Sequence, residues 1–128
     1  MNITFLSIED VMRIQERVIA RDGGLAGVRD VGLLASAVTM PQQMFGGQYV
    51  HEDLAAMAAA YLFHLAKNHA FLDGNKRVAL ASAIMFVRAN GVRETIWEDA
   101  ATEVTLAVAS GDMTKDQLTA WFRKVLPG

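Results

Sequence analysis

The segment His69–Arg77 concentrates side chains that could take part in chemistry. Its nine residues, His-Ala-Phe-Leu-Asp-Gly-Asn-Lys-Arg, place a histidine, a carboxylate, an amide and two cations between two apolar stretches. Polar groups are costly to bury without partners, so this density calls for a role beyond packing. We interpret the segment as a phosphate-handling loop at the N-terminus of a helix.

The second half of the segment predicts an anion site. The amides of Gly74, Asn75 and Lys76 are expected to be unpaired donors in the first turn of the following helix. Such amides, at the positive end of the helix dipole, bind phosphate. Gly74 has no Cβ, so a phosphate can approach the backbone closely. Lys76 and Arg77 add cations, and the planar guanidinium of Arg77 matches phosphate oxygens.

The first half supplies a candidate base and a candidate metal ligand. His69 could accept a proton from a hydroxyl nucleophile at neutral pH. Asp73 offers a hard oxygen ligand, and Mg²⁺ is typically held by one or two carboxylates together with substrate phosphates. Phe71 is expected to insert into the core and anchor the loop. Together these groups indicate phosphoryl or nucleotidyl transfer from a nucleoside triphosphate, although Asp73 could instead be a plain helix N-cap and His69 a plain loop histidine.

Other chemical templates do not match. The Gly-Asn-Lys of this segment lacks the upstream glycine and the trailing Ser or Thr of a Walker A loop. His51 and Glu52 are not followed by a histidine at the zinc-protease spacing, and His64 and His69 are five residues apart rather than four. No serine lies in a nucleophile-elbow motif. We therefore interpret His64 as a core histidine whose hydrogen bonds are satisfied.

Length and composition narrow the class of protein. A chain of 128 residues has the size of one ordinary domain, so we expect a single domain over residues 1–128. The absence of cysteine excludes disulfides and thiolate metal sites and fits the reducing cytoplasm. A formal net charge of -2 argues against direct binding of nucleic acid. The longest apolar run, Leu54–Phe63, is half of the roughly 20 residues that a membrane-spanning helix needs.

Helical spacing of apolar residues predicts a bundle of about six helices. The third is apolar nearly all round, so we expect it and the fourth to form a central pair with the His69–Arg77 segment between them. Residues 1–6 favour a strand or an extended arm, residues 92–97 have β character, and Trp97 and Trp121 are expected in or over the core. The predicted helices run from a capping box at Ser7 to about Arg21, from Asp30 to Pro41, over Leu54–Lys67, from about Lys76 to Asn90, over Glu98–Ser110, and onward from Thr114.

Residues 42–50 show no periodicity and contain two adjacent glycines and two aromatic residues. This pattern predicts a mobile loop. One interpretation is a plain connection. The other is a flap that grips a partner chain, with the residues Met44, Phe45, Gly46, Gly47 and Tyr49.

The segment His69–Arg77 resembles the signature H-x-F-x-[D/E]-[G/A]-N-[G/K]-R of the Fic/Doc family. The matching positions are His69, Phe71, Asp73, Gly74, Asn75, Lys76 and Arg77. The likeness to death-on-curing (Doc) toxins extends over nearly the whole chain, through Gly23-Gly24-Leu25, Arg29-Asp30, Leu33-Leu34 with Pro41, and Phe86–Gly91.

This resemblance implies an all-α Fic fold, with the catalytic loop between two central helices, and a toxin of a toxin–antitoxin pair. Doc relatives carry lysine at the position of Lys76 and bind ATP turned around, so that they transfer its γ-phosphate to a threonine of elongation factor Tu and halt translation. Relatives with glycine there transfer AMP. Glycine at position 74 agrees with the AMP-transferring branch, so a nucleotidyl transferase is the alternative, and a catalytically silent antitoxin-binding module is a third.

The resemblance also implies a role for each matched residue. His69 corresponds to the base, Asp73 to the Mg²⁺ ligand, and Asn75, Lys76 and Arg77 to phosphate-binding residues. Residues 42–50 correspond to the flap that docks the target. The chain lacks the Ser/Thr-x-x-x-Glu-Gly/Asn motif of an inhibitory helix, so we expect restraint from a separate antitoxin, through a helix laid in a groove.

Overall fold

The computed structural model describes residues 2–93 and 98–127. Within these ranges the chain is built mainly of six α-helices, which confirms the predicted all-α class. Their bounds are α1 Ile8–Asp22, α2 Val31–Thr39, α3 Leu54–Asn68, α4 Asn75–Ala89, α5 Glu98–Ser110 and α6 Lys115–Val125. None of the described helices is long and apolar enough to cross a membrane.

Side-chain caps begin four of the described helices, at or next to the positions that the sequence predicted. A cap of this kind satisfies an amide that the first helical turn leaves unpaired. Those before α1 and α6 are complete capping boxes. The contacts to backbone amides are Ser7 Oγ with Asp10 N at 3.0 Å, Asp30 Oδ1 with Leu33 N at 2.9 Å, Asp53 Oδ1 with Ala56 N at 2.8 Å, and Thr114 Oγ1 with Gln117 N at 3.1 Å.

The centre of the molecule is α3, which packs against α2, α4, α5 and α6. Every residue from Ala55 to Leu62 is buried, as expected of a helix that is apolar on all sides. The Tyr61 hydroxyl is the polar exception, and it accepts a hydrogen bond from the Leu6 amide at 2.9 Å. That bond and a pair of bonds between Asn90 and the backbone of Thr4, each 2.9 Å, hold residues 2–6 as an extended arm rather than a strand.

Residues 42–50 are more regular than the sequence predicted. A short 3₁₀ helix, Met40–Gln42, contains Pro41 and ends α2, and strands β1 (Met44–Phe45) and β2 (Gln48–Tyr49) then form an antiparallel hairpin. Gly46 and Gly47, with φ of 59° and 78°, make the connection. A two-residue hairpin turn favours positive φ at both positions, so the paired glycines indicated a turn rather than an irregular loop.

The structure agrees with the prediction for His64 in part, because its side chain has a hydrogen-bond partner but lies at the edge of the core. The side chain is half-buried between α3 and α6, and its Nε2 lies 3.0 Å from the Lys115 ammonium. Burial, with the positive charge of Lys115, lowers the pKa of His64 to about 4. His51 is buried, and its Nδ1 has no hydrogen-bond partner among the described residues.

The two tryptophans have different outcomes. Trp121 is half-buried and packs edge-on against Phe122, with ring centroids 5.0 Å apart, which agrees with a covering role. Trp97, with most of the connector predicted over residues 92–97, lies outside the described residues.

Candidate active site

The candidate site is the turn between the two central helices. His69 caps the C-terminus of α3 with a left-handed φ of 50° and ψ of 48°, and α4 begins after Gly74. His69 is the one non-glycine residue with positive φ among those the structure describes. This conformation turns the chain sharply, so the exposed imidazole of His69 and the start of α4 face the same cavity.

That cavity has a volume of about 360 Å³, within the roughly 300–1,000 Å³ typical of small-molecule sites. The predicted base, the predicted metal ligand and all four predicted phosphate-binding residues line it. The lining residues are His69, Leu72, Asp73, Gly74, Asn75, Lys76, Arg77, Leu80, Thr102, Thr105 and Leu106. A second cavity of about 490 Å³ adjoins it and shares the side chains of His69 and Lys76.

The N-terminus of α4 has the features of an anion site, displaced by one residue from the prediction. Gly74 is the N-cap, with φ of 77°, and it has no side chain with which to cap the helix. The first helical bond runs from the Val78 amide to the Gly74 carbonyl at 2.8 Å. The first-turn donors are therefore the amides of Asn75, Lys76 and Arg77, and they lie at the positive end of the helix dipole.

The side chain of Asn75 stabilises the loop. Its Oδ1 accepts a hydrogen bond from the Phe71 amide, and its Nδ2 donates one to the Phe71 carbonyl, both at 3.0 Å. The Phe71 ring itself is 2 % exposed and belongs to the core, as predicted for an anchor. Because both the oxygen and the nitrogen of the Asn75 side chain bind the backbone of Phe71, a phosphate is left the backbone N–H of Asn75 and the second N–H of its amide nitrogen.

Asp73 is oriented by the turn that follows α1. Its Oδ2 accepts a hydrogen bond from the Leu25 amide at 2.8 Å, and the N-cap of α4 is the next residue, Gly74. The interpretation of Asp73 as a plain N-cap is therefore wrong. The carboxylate is half-exposed in the cavity wall, where it could serve as a metal ligand.

The donor set at the site fits Mg²⁺ that is shared with a nucleotide. Among residues 2–93 and 98–127, no group of three or more His, Cys, Asp and Glu side chains could hold a metal ion. Asp73 would therefore contribute one oxygen, and phosphate oxygens and water would complete the ligand shell. This is the mode of binding that Mg²⁺ favours at phosphate sites.

The cations differ in how they are held. Lys76 is exposed between the two cavities. Arg77 is also exposed, and its Nη1 lies 3.3 Å from an oxygen of Asp22. The pKa of Asp22 is lowered, first by its hydrogen bond to Arg21 and further by Arg77. Asp22 thus holds the guanidinium of Arg77 at the edge of the site.

Two residues that the sequence analysis did not single out by function support this loop. Gln15 is 1 % exposed on α1, donates through Nε2 to the carbonyls of Leu25 (3.1 Å) and Asp73 (3.2 Å), and accepts from the Gly27 amide (3.2 Å). A glutamine among the apolar core positions of α1 was the one signal available for it. Arg29 donates through Nε to the His69 carbonyl at 2.7 Å, a contact with no local sequence signal.

The candidate flap lies apart from these cavities. None of its residues lines either one. Tyr49 packs on Phe5 at a centroid distance of 5.5 Å, and Phe5 stacks on Phe86 at 5.9 Å. Phe86 is eleven residues, or about 16 Å, along α4 from Asn75, so Tyr49 is connected through Phe5 to the end of α4 that is remote from the candidate site.

The comparisons with known proteins agree with this loop and fold. The model of the Fic/DOC family matches residues 5–87. The chain therefore belongs to the Fic/DOC family.

Two curated relatives are similar over most of their length. Toxin Doc of Mycolicibacterium smegmatis is 42 % identical over 100 residues, which cover 77 % of each chain. Protein kinase doc of Escherichia phage P1 is 31 % identical over 120 residues, which cover 94 % of each chain. The likeness thus extends beyond the catalytic loop to the surrounding helices.

Proposed function

We propose that this chain is the toxin of a toxin–antitoxin pair and acts in the cytoplasm as a protein kinase. It transfers the γ-phosphate of ATP to a hydroxyl group of a translation factor, with elongation factor Tu as the expected target, and so halts translation. Its second partner is a cognate antitoxin that restrains it.

The observation that carries this proposal is the shared cavity of His69 and the first turn of α4. A base, three uncapped amides and two cations line about 360 Å³, and this is the equipment that phosphoryl transfer requires. Of the two relatives, one is named as a toxin, which supports the toxin role, and the other as a protein kinase, which supports the reaction.

Each residue of the site has its own role in the proposed reaction. The phosphate chain lies on the first turn of α4, with Lys76 and Arg77 compensating its charge. The acceptor hydroxyl gives its proton to His69 while its oxygen forms a bond to the γ-phosphorus, and the bond from that phosphorus to the ADP oxygen breaks. Asp73 would hold Mg²⁺, which when bound neutralises charge on the phosphate oxygens.

The position of Lys76 favours γ-phosphate transfer over AMP transfer. Its exposed side chain lines both cavities, as His69 does. An ammonium group there crowds the outer end of the anion site and compensates the charge of one phosphate group. A nucleotide that places its γ-phosphate next to His69 fits the crowded outer end of the site and brings that phosphate charge close to the Lys76 ammonium.

A labelling experiment tests the proposal. The purified chain is incubated with Mg²⁺, elongation factor Tu and ATP labelled at either the α- or the γ-phosphate. Label should reach the factor from the γ position alone, and His69→Ala should transfer none. Label that arrives only from the α position would refute kinase activity.

Nucleotidyl transfer is the second candidate, and Gly74 favours it. Glycine at this position agrees with the AMP-transferring relatives, and here it has φ of 77° and packs against α1, where a Cβ would meet the Ile19 and Val18 side chains at 3.4 and 3.5 Å. The same experiment identifies AMP transfer by label from the α position. Lys76→Gly should then increase α-label transfer relative to the unchanged chain.

A third candidate is a catalytically silent module that binds an antitoxin. Co-expression with and without the neighbouring gene separates it from the enzymes. If chemistry causes growth arrest, His69→Ala relieves the arrest while the soluble protein still accumulates. If binding alone causes it, His69→Ala remains toxic.

A further inference from the structure

Residues 27–30, which precede α2, are hydrogen-bonded through their main chain to the candidate catalytic loop, residues 69–77. The Leu72 amide donates to the Gly27 carbonyl at 3.0 Å, and the amides of Arg29 and Asp30 both donate to the Ala70 carbonyl, at 2.7 and 3.1 Å. These bonds join residues about 40 positions apart in the chain. They hold the loop at Ala70 and Leu72, which follow His69. Because they involve only main-chain atoms, they do not require the Arg29 side chain.

The side chain of Arg29 adds a separate set of contacts. Its Nε donates to the carbonyl of His69 at 2.7 Å, and its Nη2 lies 3.4 Å from the carbonyl of Asn68. These carbonyls lie at the C-terminal end of α3, where the helix leaves acceptors without intrahelical donors and where a cation is favoured by the dipole. Arg29 therefore closes the end of the helix at the residue that carries the candidate base.

The conformation of His69 explains why such a contact matters. A residue with a Cβ is strained at φ of 50°, and it keeps that conformation only where its surroundings enforce it. The charged, short bond from Arg29 falls on the carbonyl of this strained residue. A released carbonyl would let the peptide rotate and carry the imidazole away from the first turn of α4.

We propose that Arg29 is a positioning residue for the reaction, which holds the backbone of His69 left-handed and thereby aims its imidazole at the phosphate site. The proposal rests on the proposed function for its catalytic consequence. Arg29 acts through the His69 carbonyl and has no contact of its own with the reacting atoms.

Three variants test this role. Arg29→Met keeps the aliphatic stem and removes both donors, Arg29→Lys keeps a cation that can reach one carbonyl, and Arg13→Met is the matched control. Arg13 is an exposed arginine whose recorded ion pair is with Asp10 on α1. We expect kcat of Arg29→Met to fall about 10–100-fold with KM for ATP within about twofold. Arg29→Lys should recover part of the loss, and Arg13→Met should match the unchanged chain.

A second measurement does not depend on activity. The Cα and amide chemical shifts of His69 and Ala70, measured by NMR on the whole chain, report the left-handed conformation directly. They should move in Arg29→Met, move less in Arg29→Lys and remain in place in Arg13→Met.

These readouts separate the failure of either proposal. If the unchanged chain transfers no label from ATP, the proposed function fails, while the chemical shifts still decide whether Arg29 holds His69. Unchanged shifts in Arg29→Met would overturn the positioning role. So would a kcat within twofold of the unchanged chain, or a rise in KM that accounts for the whole loss.

Discussion

His69 has two properties that together define its place in the molecule. It terminates α3 in a left-handed conformation, and its exposed imidazole lies at the rim of the cavity formed by the start of α4. Its carbonyl is held by Arg29, whereas its ring makes no recorded hydrogen bond among the described residues. A ring without structural bonds can be removed with little cost to the fold.

His69→Ala therefore should separate chemistry from stability. We expect turnover to be lost, with ATP affinity within about twofold and the free energy of unfolding within about 0.5 kcal/mol. Isothermal calorimetry and urea unfolding measure the last two quantities. A strongly destabilised variant would show that the histidine is structural.

Phe71, two residues on, has the opposite character, because its ring is 2 % exposed. Truncation of a buried phenylalanine costs on the order of 3–5 kcal/mol, so Phe71→Ala should lower the free energy of unfolding by that amount. Phe45→Ala is the matched control: its ring is 85 % exposed, and the change should stay within about 0.5 kcal/mol. Equal losses in the two variants would contradict the anchoring role of Phe71.

At the scale of elements, the candidate catalytic loop, residues 69–77, depends on the turn after α1 as well as on the helices that flank it. Leu25 holds the Asp73 carboxylate, and Gln15 holds the Asp73 carbonyl from inside the core. Gly24 lies against Asp73 so closely that a Cβ on it would stand 3.2 Å from the Asp73 Cβ. The shape of this turn therefore determines where the candidate metal ligand lies.

A pair of glycine substitutions tests that dependence. Gly24 (φ 115°) and Gly23 (φ 84°) are both strained by a side chain, but the Cβ of Gly23→Ala meets no atom within 4 Å. Each alanine should cost on the order of 1–3 kcal/mol of stability. Only Gly24→Ala should also weaken Mg²⁺-dependent ATP binding, by roughly tenfold. Equal affinity in the two variants, measured by calorimetry, would show that Asp73 does not depend on the turn.

At the scale of the whole molecule, α3 and α6 meet over a cluster of basic groups. His64 on α3 faces the Lys115 ammonium and, further away, His51, while Asp116 is the carboxylate that lies near Lys115. Burial lowers the pKa of all three basic groups. Protonation of His64 would place a second positive charge 3.0 Å from Lys115.

Stability should therefore fall as the pH falls from about 6.5 to about 4. The folded-state pKa of His64 is about 4, below its usual 6.5, so between these values the unfolded chain binds more protons and gains stability relative to the fold. The lowered pKa of His51 acts in the same direction. Urea unfolding at pH 7.5 and pH 5 measures the effect.

His64→Gln should reduce this dependence, because glutamine does not titrate. Glu9→Gln, a change of an exposed residue on α1, is the control and should leave the slope unchanged. A pH dependence equal in all three proteins would exclude His64 as its source.

The amino-acid sequence by itself determined the helices, their caps and the residue types on which the proposed chemistry of the loop depends. Capping boxes at Ser7 and Thr114, the apolar run of α3 and the glycine before α4 act between residues a few positions apart, so local pattern reveals them. Local pattern misled where one signal has two structural meanings. The Gly46-Gly47 pair, predicted to lie in a mobile loop, forms a hairpin turn. The side chain of Asn75, a predicted phosphate-binding residue, makes two hydrogen bonds with the backbone of Phe71.

Only the tertiary structure decided how the loop is held. Arg29 and His69 are 40 residues apart, Gln15 and Asp73 are 58, and His64 and Lys115 are 51. No periodicity or motif records such pairs, because each forms only after α1, α2 and α6 pack around the central helices. The residues proposed to carry the chemistry are consecutive in the sequence, whereas the geometry of their loop depends on contacts that only packing creates.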